Sequence, residues 1–353
     1  MHFQRHLRSG SGWFSGRQRR SSNAREGIVE FWQWWPDGRP RLTAAIAAGD
    51  GGASLADEIG QRVAAIHPEL EWELGPGLIS QHCFMVSPAG NPELRATAAR
   101  WLALAPPSDD TWEFYDARQP NPGFAGMRLR MDSLDLALGD IRFLISRREH
   151  SIDVGVFHPS FAALPEKPRT HLAFLSLDWA LGEQAVEVWV AEISAVPVAP
   201  AQADTVDGLR AAVADLAERH REPQWVILSG GTPDTQGNMA VAQVPLRAAR
   251  WPRFDTHIAV TAPYEDRGNG LPSDAALAAL RQFEDSLTAT AGHDGDLLAH
   301  ETANGIRTLH YYVDGESGAP ARLTAAVSGW LRARGTATLD PSLKAIRHLD
   351  VSR

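Results

Sequence analysis

Two groups of residues in this 353-residue chain have types and spacing that suit chemistry. Thr302, Arg307 and Tyr311 surround the turn Ala303-Asn304-Gly305, which separates two alternating segments. Arg307 and Tyr311 differ by four, so on a strand both side chains leave the same face. A guanidinium beside a phenol and a hydroxyl can bind a carboxylate or a phosphate. The same three residues can equally form a cross-strand pair that fixes register. The second group is Asp178 with Glu183, two acids in an otherwise apolar helical run. Buried acids need partners, which makes a polar site conceivable. Five residues apart on a helix, however, they project in different directions, and Glu183 then caps or faces solvent.

The motifs of well-known catalytic sites are missing. There is no Walker loop, no G-x-S-x-G elbow, no H-E-x-x-H and no EF-hand loop. Gly230-Gly231 follows a strand, but Pro233 and the Gln-Gly-Asn after it read as a hairpin loop rather than a phosphate cradle. His293-Asp294-Gly295-Asp296 is turn chemistry. His300 and Glu301 are neighbours on a strand, so their side chains diverge. Arg147-Arg148-Glu149-His150 reads as a polar turn. The single cysteine, Cys83, excludes an internal disulfide and a Cys-rich zinc site, and its apolar strand setting reads as a buried thiol. No cofactor and no metal is implied.

The elements that must hold these residues read as two split plaits. Ile28–Trp35 reads as an aromatic strand, followed by a turn at Pro36-Asp37-Gly38. Ser54 caps a helix carrying Leu55, Ile59, Val63 and Ile66. Glu71–Leu74 and the segment through Cys83 and Val86 are strands. Asn91-Pro92 opens a second helix, and Trp112–Tyr115 closes the order strand, helix, strand, strand, helix, strand. The same order recurs over 254–350: strand Thr256–Ala262, a helix from Ser273, a hairpin over Asp296–Val313, a helix through Leu323, Val327 and Trp330, and a strand near Lys344–Leu349. Between them, Met127–Met131, Ile141–Ser146 and Ser151–Phe157 are strands, and Thr170–Val190 and Thr205–Arg221 are helices. The expected fold class is α+β: tandem ferredoxin-like plaits at 27–125 and 223–353, with mostly antiparallel sheets, flanking a middle α/β section at 126–222.

Residues 1–26 stand apart. Six Arg against one acid give this arm +5, while the whole chain is −9. Its Gly and Ser content reads as disorder, with Phe3, Trp13 and Phe14 as its apolar residues. It lacks the apolar run of a secretory signal, and no segment has the roughly 20 apolar residues that span a bilayer. A cytoplasmic location is expected. The acidic remainder argues against nucleic acid as a partner.

The span from Trp225 to about Leu349 resembles domain-of-unknown-function family 695. The likeness rests on Thr256–Tyr264, on Gly270-Leu271-Pro272 opening a helix, on Glu301-Thr302, Gly305 and Arg307, and on His310-Tyr311-Tyr312. The upstream region is similar to a segment that accompanies this domain in bacterial proteins, through Phe31-Trp32, Trp72-Glu73, Ser87–Asn91, Ala105-Pro106, Phe174, Leu177-Asp178 and Leu181-Gly182-Glu183. That resemblance implies a bacterial protein but brings no activity and no catalytic residue. Plaits, an acidic body and twelve Trp without a catalytic signature point to a non-catalytic interaction or regulatory module whose partner is another protein. The alternatives are an enzyme of unrecognised, hydrolase-like type and a small-ligand sensor. The oligomeric state is not fixed by the sequence.

Overall fold

The computed structural model describes residues 17–131, 134–229 and 238–351. Phe3, Trp13 and Phe14 of the arm and the Gly230-Gly231 turn lie outside them. The chain divides into two compact units at Gln119/Pro120.

The first unit opens with a long helix, α1 (Arg17–Ala47), then α2 (Ala56–Ile66), β1 (Glu71–Pro76), β2 (His82–Ser87), α3 (Pro92–Ala103) and β3 (Trp112–Tyr115). The expected strand Ile28–Trp35 is therefore helical, and so are Arg17–Glu26 of the expected arm. Helical period explains the correction. Ala24, Ile28, Phe31, Trp35 and Leu42 follow one another by four, three, four and seven residues and are all buried, while Val29, Glu30 and Gln33 face solvent. Pro36 and Pro40 lie inside this helix on its exposed side. The carbonyls they leave unbonded can there turn to water. Gly27 lets α1 approach α2: a Cβ at this position would stand 2.8 Å from the Ala65 carbonyl oxygen.

Without that strand the unit is no plait. Its sheet has three strands, β1-β2-β3, with β1/β2 antiparallel and β2/β3 parallel across α3. The helices and sheet enclose an aromatic core. Phe31 lies edge-on to Phe84 and Trp101, with ring centres 5.5 Å apart in both cases. The expected Ser54 cap is also corrected. Ser54 sits in a 3₁₀ turn, and its N–H donates to Asp50 Oδ2. Asn91 does cap α3, accepting from the Glu93 N–H at 3.1 Å.

The second unit starts with a hairpin, β4 (Arg128–Met131) and β5 (Leu134–Ala137). Next come β6 (Arg142–Arg147), β7 (Ile152–Phe157), α4 (Glu166–Leu181), α5 (Glu183–Trp189), β8 (Val190–Val196) and α6 (Val206–Arg219). The expected helix 170–190 is split at Gly182, whose φ of 83° only glycine adopts freely. β6/β7 is antiparallel and β7/β8 parallel. This repeats the ββαβ order of β1-β2-α3-β3, so the repeat in the chain links the first unit to the middle section.

The remainder is β9 (Gln224–Ser229), β10 (Met239–Val244), β11 (Thr256–Pro263), α7 (Asp274–Ala291), β12 (Gly295–Ala303), β13 (Ile306–Val313), α8 (Ala319–Ala326) and β14 (Arg334–Leu339). All six strands form one antiparallel sheet in the order β14-β11-β13-β12-β10-β9. β11 through β14 keep the expected strand and helix order, and α7 and α8 pack on one face through Leu280, Phe283, Leu287 and Leu323. The closing strand is Arg334–Leu339 rather than Lys344–Leu349, which is a 3₁₀ turn. Leu343, Ile346 and Leu349 recur every three residues, the 3₁₀ period, and cover the other face of the sheet. Asp340 holds this turn by accepting the Lys344 and Ala345 N–H groups.

Urea unfolding checks these assignments. Phe31→Ala, at a fully buried ring, is expected to cost about 3–5 kcal/mol. Trp330→Ala should cost less, because that ring is only half-buried and its indole donates to the Pro263 carbonyl. Ser273→Ala, which removes the α7 cap to the Ala276 N–H, should cost about 1 kcal/mol. Equal losses in the three variants would contradict the packing described.

Candidate functional site

The β12–β13 hairpin brings Thr302, Arg307 and Tyr311 together. Thr302 and Arg307 are direct cross-strand partners, and all three side chains face α7. Arg307 donates from Nε to Thr302 Oγ1 at 3.1 Å and from Nη1 to Glu284 Oε2 at 3.1 Å. The Tyr311 hydroxyl donates to the Glu284 backbone carbonyl at 2.9 Å and lies 2.9 Å from Thr288 Oγ1. Glu284 of α7 thus fills the place that an anionic ligand would take. Sequence reading missed Glu284, although its position one residue after the core Phe283 was a usable signal. Burial pushes the Glu284 carboxyl up and the Arg307 guanidinium down from their usual values, and their mutual attraction offsets this only in part. Burial likewise raises the Tyr311 phenol. The three residues therefore lock sheet to helix.

Asp178 and Glu183 fall on different helices. Asp178 sits in the last turn of α4 with its carbonyl accepting the Gly182 N–H, and Glu183 is buried at the first position of α5.

A second cluster, on the opposite face of the same sheet, was not anticipated. His257 Nε2 lies 3.0 Å from His310 Nδ1, and His310 Nε2 lies 3.1 Å from Glu301 Oε1. His348, on the C-terminal 3₁₀ turn, reaches the same oxygen at 3.2 Å. The ring of Tyr312 stacks on His257, and its hydroxyl donates to Asp340 Oδ2 at 2.7 Å. Hydrogen bonds from His310 and His348 hold the Glu301 carboxyl at about 2. Burial, with His310 nearby, pushes His257 down to about 4. Because the pairing runs across three strands, only register brings these residues together. Among the described residues no group of three or more His, Cys, Asp or Glu stands in an arrangement that could hold a metal ion.

Cys83 is a buried thiol pushed up to about 12, by burial first and then by the nearby Glu113 carboxylate, so it is no nucleophile. Glu113 is itself buried, which raises its carboxyl. The N–H groups of Leu78, Ser80 and Ile79 outweigh that and bring it below the usual value. They fix a loop that carries Ile79 almost wholly in solvent. Two surface grooves are large enough for a small ligand. One of about 250 Å³ lies between α1 and α2, and one of about 410 Å³ lies beside β6. Neither contains the hairpin residues or the histidine cluster.

No protein-family model, no curated protein and no solved structure matches this chain.

β9 is an edge, and its Trp225 and Ile227 are 42% and 72% exposed. Register places Ile227 beside Val241 and His300, on the face that α7 and α8 cover elsewhere. The His300 Nδ1 atom is buried there without a hydrogen-bond partner, and burial holds the imidazole at about 4.

Two measurements test the electrostatics. Arg307→Met should destabilise by about 3–5 kcal/mol by stranding Glu284, and adding Glu284→Leu should recover most of that loss. Recovery absent from the double variant would mean the pair does more than lock the helix. Stability should also fall as pH drops from about 6.5 to about 4. Over that range the unfolded chain protonates His257 and His300 while the folded chain does not. Urea midpoints against pH should flatten in His300→Gln, and an unchanged slope would contradict this account.

Proposed function

We propose that this chain is a non-catalytic interaction module, built in its C-terminal part on a ferredoxin-like plait, that recognises a protein partner by adding a strand at β9. The single observation that carries this reading is the state of that edge. A sheet edge presents unpaired backbone N–H and C=O groups, and proteins usually guard it with charge or proline. The other described edge strands each carry charge: Glu71 and Glu73 on β1, Glu113 on β3, Arg128 and Arg130 on β4, Asp135 on β5, Arg142 and Arg147 on β6, Glu192 on β8, Arg334 on β14. Gln224–Ser229 has neither charge nor proline and displays Trp225 and Ile227.

In strand addition the backbone supplies affinity, and alternate side chains supply specificity. Trp225 and Ile227 are two apart and so share one face, as such recognition requires. The internal pairing of Arg307 with Glu284 and the inert Cys83 thiol weigh against the enzyme alternative. The acidic body favours a protein over a nucleic acid as the partner. Among the described residues no helix is long and apolar enough to cross a membrane, and a cytoplasmic setting suits the single buried thiol.

The experiment is affinity purification from the native host with the intact chain and two variants. Ile227→Lys places a charge on the edge and should lower recovery of a stoichiometric partner at least tenfold. Leu331→Lys, at another exposed apolar position, should leave recovery unchanged. Equal recovery with both variants would sink the proposal.

A further inference from the structure

The exposed pattern of β9 is complementary to itself. We infer that a second copy of this chain pairs antiparallel with β9 about a twofold axis at Val226, joining two six-stranded sheets into one. This rests on the strand-addition reading above and names the partner.

A twofold axis normal to the sheet keeps each face on its own side, so opposed residues must have the same parity. With Val226 on the axis, Trp225 of each copy lies opposite Ile227 of the other, and Gln224 lies opposite Leu228. Aromatic rings opposite β-branched residues are favourable cross-strand pairs. The two most exposed apolar side chains of the strand thus cover each other twice, and no like charges meet, because the strand has none. The other outer edge of this sheet, β14, offers no equivalent match. It runs Arg334-Gly335-Thr336-Ala337-Thr338-Leu339, so an axis at Thr336 would set Gly335 against Ala337 and Arg334 against Thr338, and an axis at Ala337 would set Gly335 against Leu339.

Charge supports this edge as the meeting point. Copies with a net charge of −9 repel, and the repulsion is least where neither surface is charged. The contact is small beside the roughly 800 Å² per partner of a standard interface. The pairing is therefore expected to depend on concentration rather than to be obligate.

The test uses the purified full chain. Sedimentation velocity between 1 and 100 µM, ranges chosen as about those of weak interfaces, should show a monomer–dimer equilibrium. Ile227→Lys should raise the dissociation constant at least tenfold. Register is read separately by oxidation in a Cys83→Ser background. A mixture of Trp225→Cys and Ile227→Cys chains should form an intermolecular disulfide, and either variant alone should form far less. Cross-linking by Ile227→Cys alone, at the level of the mixture, would overturn the Val226 axis. A chain that stays monomeric at every concentration would overturn the second copy as partner. If Ile227→Lys still abolished host-partner capture in that case, strand addition to another protein would stand. If it did not, both readings would fall together.

Discussion

An open sheet leaves a line of backbone N–H and C=O groups without a partner in the sheet at each of its two edges, and water or another chain has to satisfy them. In the C-terminal sheet this constraint falls on β14, which carries Arg334, and on β9, which carries no charge. The inner strands are committed: β11 and β13 pair along eight residues, and the helices cover one face while the Lys344–Leu349 turn covers part of the other. What is left over is an uncharged strand with an indole and an isoleucine turned outward. The functional reading follows from that residue of unsatisfied bonding capacity.

The rigidity that makes such an edge useful comes from polar locks buried on both sides of the sheet. On the helix side, Arg307 spans from Thr302 to Glu284, and Tyr311 reaches the backbone of α7. A desolvated ion pair of this kind adds little net stability, because burial costs both partners nearly what their attraction returns. Its effect is geometric, since only one placement of α7 satisfies it. On the opposite side the histidine–glutamate chain and the Tyr312–Asp340 bond fasten the C-terminal turn over the sheet. Both networks tie together strands that are distant in sequence.

The two ββαβ arrangements, in the first unit and in the middle section, are a different kind of sheet. Each has three strands with one parallel pair formed across helices. Parallel neighbours need such a crossover, which buries one face under helices. Their outer strands carry charge, so those sheets advertise no open edge.

Much of the local structure was legible in the sequence because it depends on local rules. The apolar stripe of α7, its Ser273 cap, the Asn91 cap of α3 and the hairpin at Asn304-Gly305 follow from residues a few positions apart. The buried character of Cys83 was legible for the same reason, as was the face shared by Arg307 and Tyr311. Other features needed the tertiary structure. Ile28–Trp35 was read as a strand on its aromatic density, and the helix shows only in the longer period from Ala24 to Leu42 that packs into the aromatic core. The partner of Arg307 lies 23 residues away on another element, and the four members of the histidine–glutamate cluster come from three strands and a turn. Sequence fixes which side chains can hydrogen-bond. Strand register and helix docking decide which of them meet, because those depend on the summed burial of the whole sheet and not on any single neighbour.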